Sequence, residues 1–539
     1  MTTCLRKAYA TMEFIVPFNV TTFVIEAEVH QRLRAFLREQ GEPYWPHHLT
    51  MARLVARAFR LGRSALIQAG SSSAYHGRHR LSYLMPSLLW PGAAILVLPE
   101  AVQQRILMVE IPRLRQWMPA TKPVQVSDRW PDENYRGLLI TSPEAWLSDR
   151  LGAQTQFPSN IPVLIDGADD LEAWIRQQLT VNVAGADWDS LMLAYPDCQD
   201  TIRDIRVQLT RTIFQHPENP YSCYLLEQPE QQAIGQLYQS LQQSITATEP
   251  LQAGMPIRWQ TFWQQYWQPH KLIWTTVNRQ QGQFWLHCGP AEISPTLMKV
   301  WDQQPVVLIG AAMDLDTQAS TYRQRLGLAD LTCLKFSLDR QQEVIQLYLP
   351  DRLPLPNTRE FQFALRQEIR QLLTRTADSS GLSVILVSDM PLQYQLGADL
   401  AAEFGSRVQV EKTCLDDNGV LVASWQFWKT HQHLLPAPQL LIITTLPIPS
   451  LENPAVANRV AFYKRQRQDW FRLYLLPEAL SELQRAIAPV RERQGIVALL
   501  DNRVNYRSYG KQVIAALSPA ARTNYIDVSW LNNSYSILD

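Results

Sequence analysis

Short apolar runs alternate along this chain with segments whose hydrophobic side chains recur every three or four positions. The runs at 65–68, 93–98, 137–141, 161–165 and 306–309 are continuously apolar, which predicts strands buried on both faces of a parallel sheet. Residues 50–62 read as an amphipathic helix with Arg53, Arg57 and Arg60 on one side, and 81–89 as a second helix that follows a Ser/Gly loop. From about 170 to 285 the pattern becomes Gln-rich and Trp-studded at helical spacing, which predicts a helical insertion. After 306 the α/β rhythm returns, with strands predicted at 384–387, 440–444, 470–475 and 496–501.

The economical reading is an α/β protein of two tandem lobes, each a parallel sheet flanked by helices. Its predicted divisions are an N-terminal segment 1–44, a first lobe 45–305 containing the insertion, and a second lobe 306–539. The cleft at the carboxyl ends of the strands is the default site in such folds.

Composition narrows the chemistry. With 539 residues and 46% hydrophobic content, the chain can bury two or three substantial cores. The balance of 50 basic against 50 acidic side chains gives no bulk case for a polyanion partner, so any nucleic-acid site must be a local patch. Cysteines 4, 198, 223, 288, 333 and 414 form no C-x-x-C pair, so neither zinc nor a disulfide framework is expected, and buried free thiols are. No run reaches membrane-spanning length and the N-terminal FIVPF stretch is too short for a signal peptide, so a cytoplasmic protein without a membrane partner is expected. Ser71–Ser73 lack a G-x-S-x-G elbow, which argues against a serine hydrolase.

Several segments, in order, resemble the motifs of DinG/XPD-type superfamily 2 DNA helicases. WPHHLTMARLVARAF followed by SALIQAGSSSAYHGRHRLSYLMP, from Trp45 to Pro86, is similar to the glutamine-bearing motif and phosphate loop of that family. LIDGADDLEAWI, from Leu164, resembles its acidic box, and VVLIGAAMDL, from Val306, its strand ending in Ser-Ala-Thr. GLSVILVSD, from Gly381, resembles the strand that opens the second lobe, and SWQFWKTHQHLLPAPQLLIITTLPIPSLENP, from Ser424, the W-x-G-x-D segment with its LP-x-x-P turn. LPEALSELQRAIAPVRERQGIVALLDNRV with the following Tyr-Gly, Leu476 to Gly510, is similar to the segment that bears the arginine finger. Tyr83, Pro86, Leu446, Pro447, Asp501 and Gly510 are structural residues retained in these segments.

The resemblance implies two RecA-like lobes of the P-loop NTPase type and, in the family, ATP-driven, Mg²⁺-dependent strand separation in DNA repair or replication. It also places residues. His79 stands at the phosphate-binding lysine, Arg80 at the magnesium-binding Ser/Thr, Arg78 at the last loop glycine, and His48 at the adenine-reading glutamine. Gly70 and Gly77 are the glycines left in the loop. Asp166 matches the magnesium-ordering aspartate, Asp169 replaces the final histidine, and Gly167 replaces the glutamate that activates water. Phe427 and Lys429 replace the glycine and aspartate of W-x-G-x-D. Gln484 and Arg491 are kept from the finger segment, with Ala488 at its first arginine.

These replacements carry physical consequences. A phosphate loop works through glycines that let backbone N–H groups converge on phosphate, with a lysine charge and a hydroxyl metal ligand. Here the segment from Ala69 to His79 is four residues longer than the G-x-x-x-x-G-K spacing, and imidazole is a poor substitute for ammonium at neutral pH. Arginine forks can still hold a phosphate without a glycine nest. A general base is worth about 10² to 10⁴ in rate, and glycine offers none. The sequence therefore predicts a helicase-like pseudoenzyme whose remnant catalytic residues are Asp166, also the magnesium ligand if any, and Arg491. Its ATP and Mg²⁺ binding would be doubtful. With no cysteine from 71 to 165, no iron–sulfur cluster is expected.

Single-stranded DNA, RNA or a protein are the partners this reading allows. The alternatives are an active ATP-dependent helicase with an atypical site, in which Asp169 or Asp170 takes over from Gly167, and a non-enzymatic interaction scaffold. Trp259, Trp263, Tyr266 and Trp267 fall at i, i+4, i+7 and i+8, which favours a core stripe over base-stacking platforms, to which Trp274 could add. Arg459, Lys464, Arg465, Arg467 and Arg472 form either a phosphate-contacting cluster or a solvated face.

Overall fold

The computed structural model describes residues 24–526 apart from 42, 119–121, 153–155, 244–253, 339–342, 377–380 and 417. Two seven-stranded, wholly parallel sheets form the two lobes. Across the first, the order is Thr332–Lys335, Ala65–Gln68, Val306–Gly310, Val163–Asp166, Ala94–Val97, Leu138–Thr141 and Val124–Val126. Its central strands are buried along their whole length, because helices cover both faces. Successive side chains serve opposite cores: Ile67, Leu96 and Leu164 pack against the helix His48–Leu61, while Leu66, Ile95 and Ile165 pack on the other side with Trp146 and Leu297. The helix Ile25–Gln40 also packs on this first core through Val29, Leu33 and Phe36.

The second sheet runs Val408–Val410, Val420–Ser424, Ser383–Val387, Leu440–Ile443, Ile496–Leu499, Ile345–Tyr348 and Ala520–Thr523. Asp501, fully buried, closes the ends of its central strands by accepting the Leu446 N–H at 2.8 Å and the Arg503 Nε at 2.9 Å. Gly510 is required where it stands, since a Cβ there would lie 1.8 Å from the Val504 carbonyl oxygen.

The structure corrects four expectations. Val306–Gly310 pairs in parallel with Ala65–Gln68 and with Val163–Asp166, so the first lobe extends past 305, to Lys335, and the second sheet begins at Ile345. The predicted strand at 470–475 is helical, with Phe471–Leu475 leading into the helix Leu476–Ala486; its apolar residues Tyr474 and Leu475 face one small core.

The insertion is not purely helical either. Lys271–Asn278 and Gln283–Pro290 form an antiparallel hairpin turned at Gly282 (φ +63°), and Val181–Val183 and Cys223–Leu225 complete a four-stranded sheet. Trp259, Trp263 and Tyr266 are buried in its core as expected, whereas Trp267 is exposed. Finally, the Ser/Gly segment is not an open loop. Gly70 (φ +88°) ends the strand connection, Ser71–His76 wind into a short helix, and Gly77 (φ +67°) closes it by donating to the Ala74 carbonyl at 3.1 Å.

Candidate functional site at the lobe junction

The carboxyl ends of the first sheet place Asp166 at the tip of Val163–Asp166, beside the segment 71–80 that follows Ala65–Gln68. Asp166 is 7% exposed. Its Oδ1 lies 3.2 Å from Nε2 of His79, and its Oδ2 accepts the Tyr83 hydroxyl at 2.8 Å. Burial opposes its charge, but the His79 ring, Arg80 and the Tyr83 hydroxyl together outweigh it and hold the carboxyl below its ordinary value. Tyr83, fully buried beside that carboxylate, is pushed well above the usual phenol range, first by desolvation.

His79 is itself 2% exposed, with Nδ1 3.4 Å from the Ser73 carbonyl. Arg80 turns inward to Glu110 at 3.5 Å, and Gly77 leaves room for its guanidinium, which a Cβ would approach to 2.4 Å. Arg78 instead points to the second lobe, donating to Oε1 of Glu492 at 2.9 Å, while Nε2 of His76 lies in ion-pair contact with Oε2 of the same carboxylate. Gly70 donates its N–H to the Ala311 carbonyl at 2.9 Å.

His48 is buried in the first lobe. Its Nε2 stands 2.9 Å from the Pro43 carbonyl, an obligate acceptor, so Nε2 carries the proton and Nδ1 accepts from the Ser82 hydroxyl at 2.9 Å. Desolvation pushes its pKa down to about 4.

The rest of the acidic box is occupied by the protein's own groups. Gly167 adopts φ +85°, a conformation that a side chain rarely takes. Asp169 accepts the Ala311 and Ala312 N–H groups at 2.6 and 2.8 Å, and a Cβ on Gly310 would meet its carboxylate at 2.7 Å. Desolvation, the largest influence, raises the Asp169 pKa despite Arg485 and those two donors. Asp170 accepts from Lys429 at 3.2 Å and Arg485 at 3.1 Å, both in the second lobe. Lys429, which replaces the aspartate of the W-x-G-x-D pattern, and Arg485 of the finger segment thus bridge the two lobes.

Two residues further, Glu172 is contacted by Arg176 (2.9 Å), Arg325 and Arg459, and Arg325 also reaches Glu478 at 2.9 Å. Arg459 is 6% exposed and sits 3.9 Å above the Tyr474 ring, so it does not share the open surface of Lys464, Arg465, Arg467 and Arg472. Arg491 is wholly buried. Its Nη1 donates to the Glu343 and Pro519 carbonyls at 2.8 and 3.0 Å and its Nη2 to those of Leu517 and Ser518 at 2.7 and 3.1 Å. Desolvation lowers its pKa to about 10. Gln484 lies half-buried on the helix Leu476–Ala486.

The structure therefore gathers His79, Arg80, Asp166 and, on the facing side, Arg78 around one junction; it sends His48 into a separate framework, and Arg491, held by its four carbonyls, borders the interlobe cavity beside Arg78. Sequence reasoning missed Glu492, whose only sequence signal is a charge next to Arg491, and it used Tyr83 only as a structural landmark. A cavity of about 140 Å³ remains between the lobes, lined by Tyr44, His47, Ser72, Arg78, Glu343 and Glu492 among others. Among the described residues, no group of three or more His, Cys, Asp or Glu side chains is placed to hold a metal ion. No described helix is long and apolar enough to cross a membrane.

Residues 407–520 match the helicase C-terminal domain family. The chain is 30% identical over 273 residues to the ATP-dependent DNA helicase YoaA of Escherichia coli, covering 46% of this chain and 43% of that one. It is 24% identical over 271 residues to the YoaA of Haemophilus influenzae, covering 47% and 42%. It thus aligns with less than half the length of either relative. In fold it is similar to an XPD helicase structure (TM-score 0.57, 11% identity, 89% of this chain and all of that one) and to the Xpd4 of S. tokodaii (TM-score 0.54, 10% identity, 89% and all). The second lobe carries the match to the helicase C-terminal domain, and the two-lobe fold is similar to that of XPD helicases.

Proposed function

We propose that this chain is a helicase-like nucleic-acid-binding protein that turns over little or no ATP. One observation carries the second half of that reading: both carboxylate oxygens of Asp166 are bonded inside the first lobe, to His79 and Tyr83. A magnesium-ordering aspartate must turn toward the metal, and this one instead faces His79 and the Gly167 N–H with Oδ1 and the Tyr83 hydroxyl with Oδ2, with an imidazole at the position where the family has its phosphate-binding lysine. The residues present fit magnesium–ATP poorly in other respects. The junction cavity of about 140 Å³ is smaller than the ~300–1,000 Å³ of ordinary small-molecule sites. Arg491 is engaged by four carbonyls and Gly167 supplies no base.

Support for a nucleic-acid partner comes from elsewhere. The YoaA relatives are ATP-dependent DNA helicases by name, and the exposed Lys464, Arg465, Arg467 and Arg472 give this neutral chain a local cationic patch. Lys464 packs its ammonium 5.2 Å from the Trp470 ring, which joins an aromatic face to the patch.

The test is ATP turnover with Mg²⁺, with and without single-stranded DNA, run beside anisotropy of a labelled oligonucleotide at about 50 and 200 mM salt. Expected is salt-sensitive binding with turnover at background. Turnover stimulated by DNA and lost in D166A would establish an active helicase with an atypical site instead. No binding of DNA or RNA would leave a protein-interaction scaffold.

A further inference from the structure

The segment 71–80 offers two basic side chains to the second lobe, Arg78 and His76, and they converge on a single carboxylate. Glu492 stands on the short helix Ala488–Glu492, directly after the clamped Arg491, and it splits its two oxygens between them. Its side chain is 17% exposed, so the pairing is largely withdrawn from water. Ser72, 1% exposed, lines the adjoining cavity and its hydroxyl has no hydrogen-bond partner among the described residues. The same interlobe face carries a neutral tether, the Tyr75 hydroxyl donating to the Gln432 carbonyl at 2.8 Å. The basic groups that could meet an external anion thus already hold an internal one, next to a polar cavity with an unsatisfied hydroxyl.

We propose that Glu492 is an internal competitor anion: its carboxylate occupies the anion-binding position between His76 and Arg78, beside the unpartnered Ser72 hydroxyl, and an external polyphosphate binds there only by displacing it. This rests on the reading that the segment no longer cradles nucleotide by itself, and it adds the group that blocks it. The physical basis is substitution of one anion for another on the same donors. Arg78 pairs as well with a phosphate as with a carboxylate, in the fork geometry that suits both. The carboxylate has the advantage of being tethered, so that a free anion competes against a high local concentration. A glutamine at 492 keeps the shape and removes the charge, which leaves the two basic side chains and the Ser72 hydroxyl for a ligand.

The experiment is calorimetric titration of the full-length protein with inorganic tripolyphosphate, without nucleotide or metal, for wild type, E492Q, R78Q and R78Q/E492Q. The expected result is at least tenfold tighter binding by E492Q than by wild type, with the gain abolished in R78Q/E492Q. Equal affinities in wild type and E492Q, with circular dichroism unchanged, overturn the proposal, as does a gain that survives R78Q. If E492Q does not fold, E492D, which retracts the charge by one methylene, is expected to show a smaller gain, and an E492D protein that binds no tighter than wild type overturns it equally. Turnover plays no part in this readout. ATP hydrolysis by wild type would sink the proposed function and leave the competition to be judged by the titrations alone.

Discussion

Lys429 of the second lobe reaches Asp170 of the first, Nζ to Oδ1, at 3.2 Å, and Arg485 meets the same oxygen at 3.1 Å. Two residues before this bridge the chain has Ala168 and, before it, Gly167; two residues after it stands Glu172, which Arg459 also approaches from the second lobe. A stretch that in the helicase pattern handles metal and water is here a zipper of ion pairs between lobes. Burial alone would raise the Glu172 carboxyl, but Arg459, Arg325 and Arg176 hold it well below the usual carboxylate range. Removing it would leave the buried Arg459 unpaired beside the half-buried guanidinium groups of Arg176 and Arg325. E172A is therefore expected to cost about 3–5 kcal/mol, the usual penalty for breaking a buried pair. It should also split thermal unfolding into separate lobe transitions. A single cooperative transition with a melting temperature within a degree of wild type would refute this.

Asp166 supports the fold by the same logic. With its carboxylate accepting from Tyr83 and facing His79, both buried, D166A strands a phenol and an imidazole. Roughly 2–4 kcal/mol should be lost in urea unfolding, in the range for buried polar groups left without partners. Because the carboxyl sits below its ordinary pKa, its contribution is complete above the unfolded value near 4 and disappears as pH falls through the lower folded value. D166A should therefore lose less stability on acidification than wild type does. Loss of stability that is the same at pH 7 and pH 3 would remove this assignment.

Much of the fold could be read from apolar runs alone. Ala65–Gln68, Ala94–Val97, Leu138–Thr141, Val163–Asp166, Leu440–Ile443 and Ile496–Leu499 are short, continuous and buried, so their pattern needed no partner to be recognised. Where reading failed, the deciding information was non-local. Val306–Gly310 looks identical whichever lobe it joins, and only its pairing between Ala65–Gln68 and Val163–Asp166 assigns it. The run 470–475 is as apolar as a strand, yet Pro477 one residue into the next helix and packing against Val460 favour a continuous helical path. In the insertion, the alternation of Lys271–Asn278 and Gln283–Pro290 was a period-two signal masked by neighbouring tryptophans. At the junction, residue types located the altered positions, but the partners of Arg78, Asp170 and Asp166 lie 414, 315 and 87 residues away along the chain.

Gly167 gives a direct test of whether a lost base can be restored. Its φ of +85° costs a side chain about 1–3 kcal/mol, and a Cβ there would stand 3.2 Å from the Trp174 ring. G167E is expected to lower stability by that amount without producing ATP turnover, since Asp166 stays bonded to His79 and Tyr83. DNA-stimulated phosphate release by G167E well above wild type would show that the missing base alone had silenced the site.

His48 supplies the prediction with the clearest sign. Folded, it is neutral down to about pH 4, because burial disfavours the imidazolium; unfolded, it takes up a proton near 6.5. The unfolded state therefore binds more protons than the native one between those values, and stability must fall as pH drops through that window, by about 2 kcal/mol at pH 5. His287, pushed down to about 4 by burial as well, adds to the same slope. A glutamine at 48 can reproduce both bonds of the neutral ring, its amide donating to the Pro43 carbonyl and its oxygen accepting from Ser82. H48Q should thus match wild type in urea at pH 7.5 and exceed it at pH 5, with the His287 share of the acid sensitivity left in place. An H48Q protein that loses as much stability between these pH values as wild type would mean that His48 is already protonated in the fold, and that Pro43 and Ser82 are not the partners that set its charge.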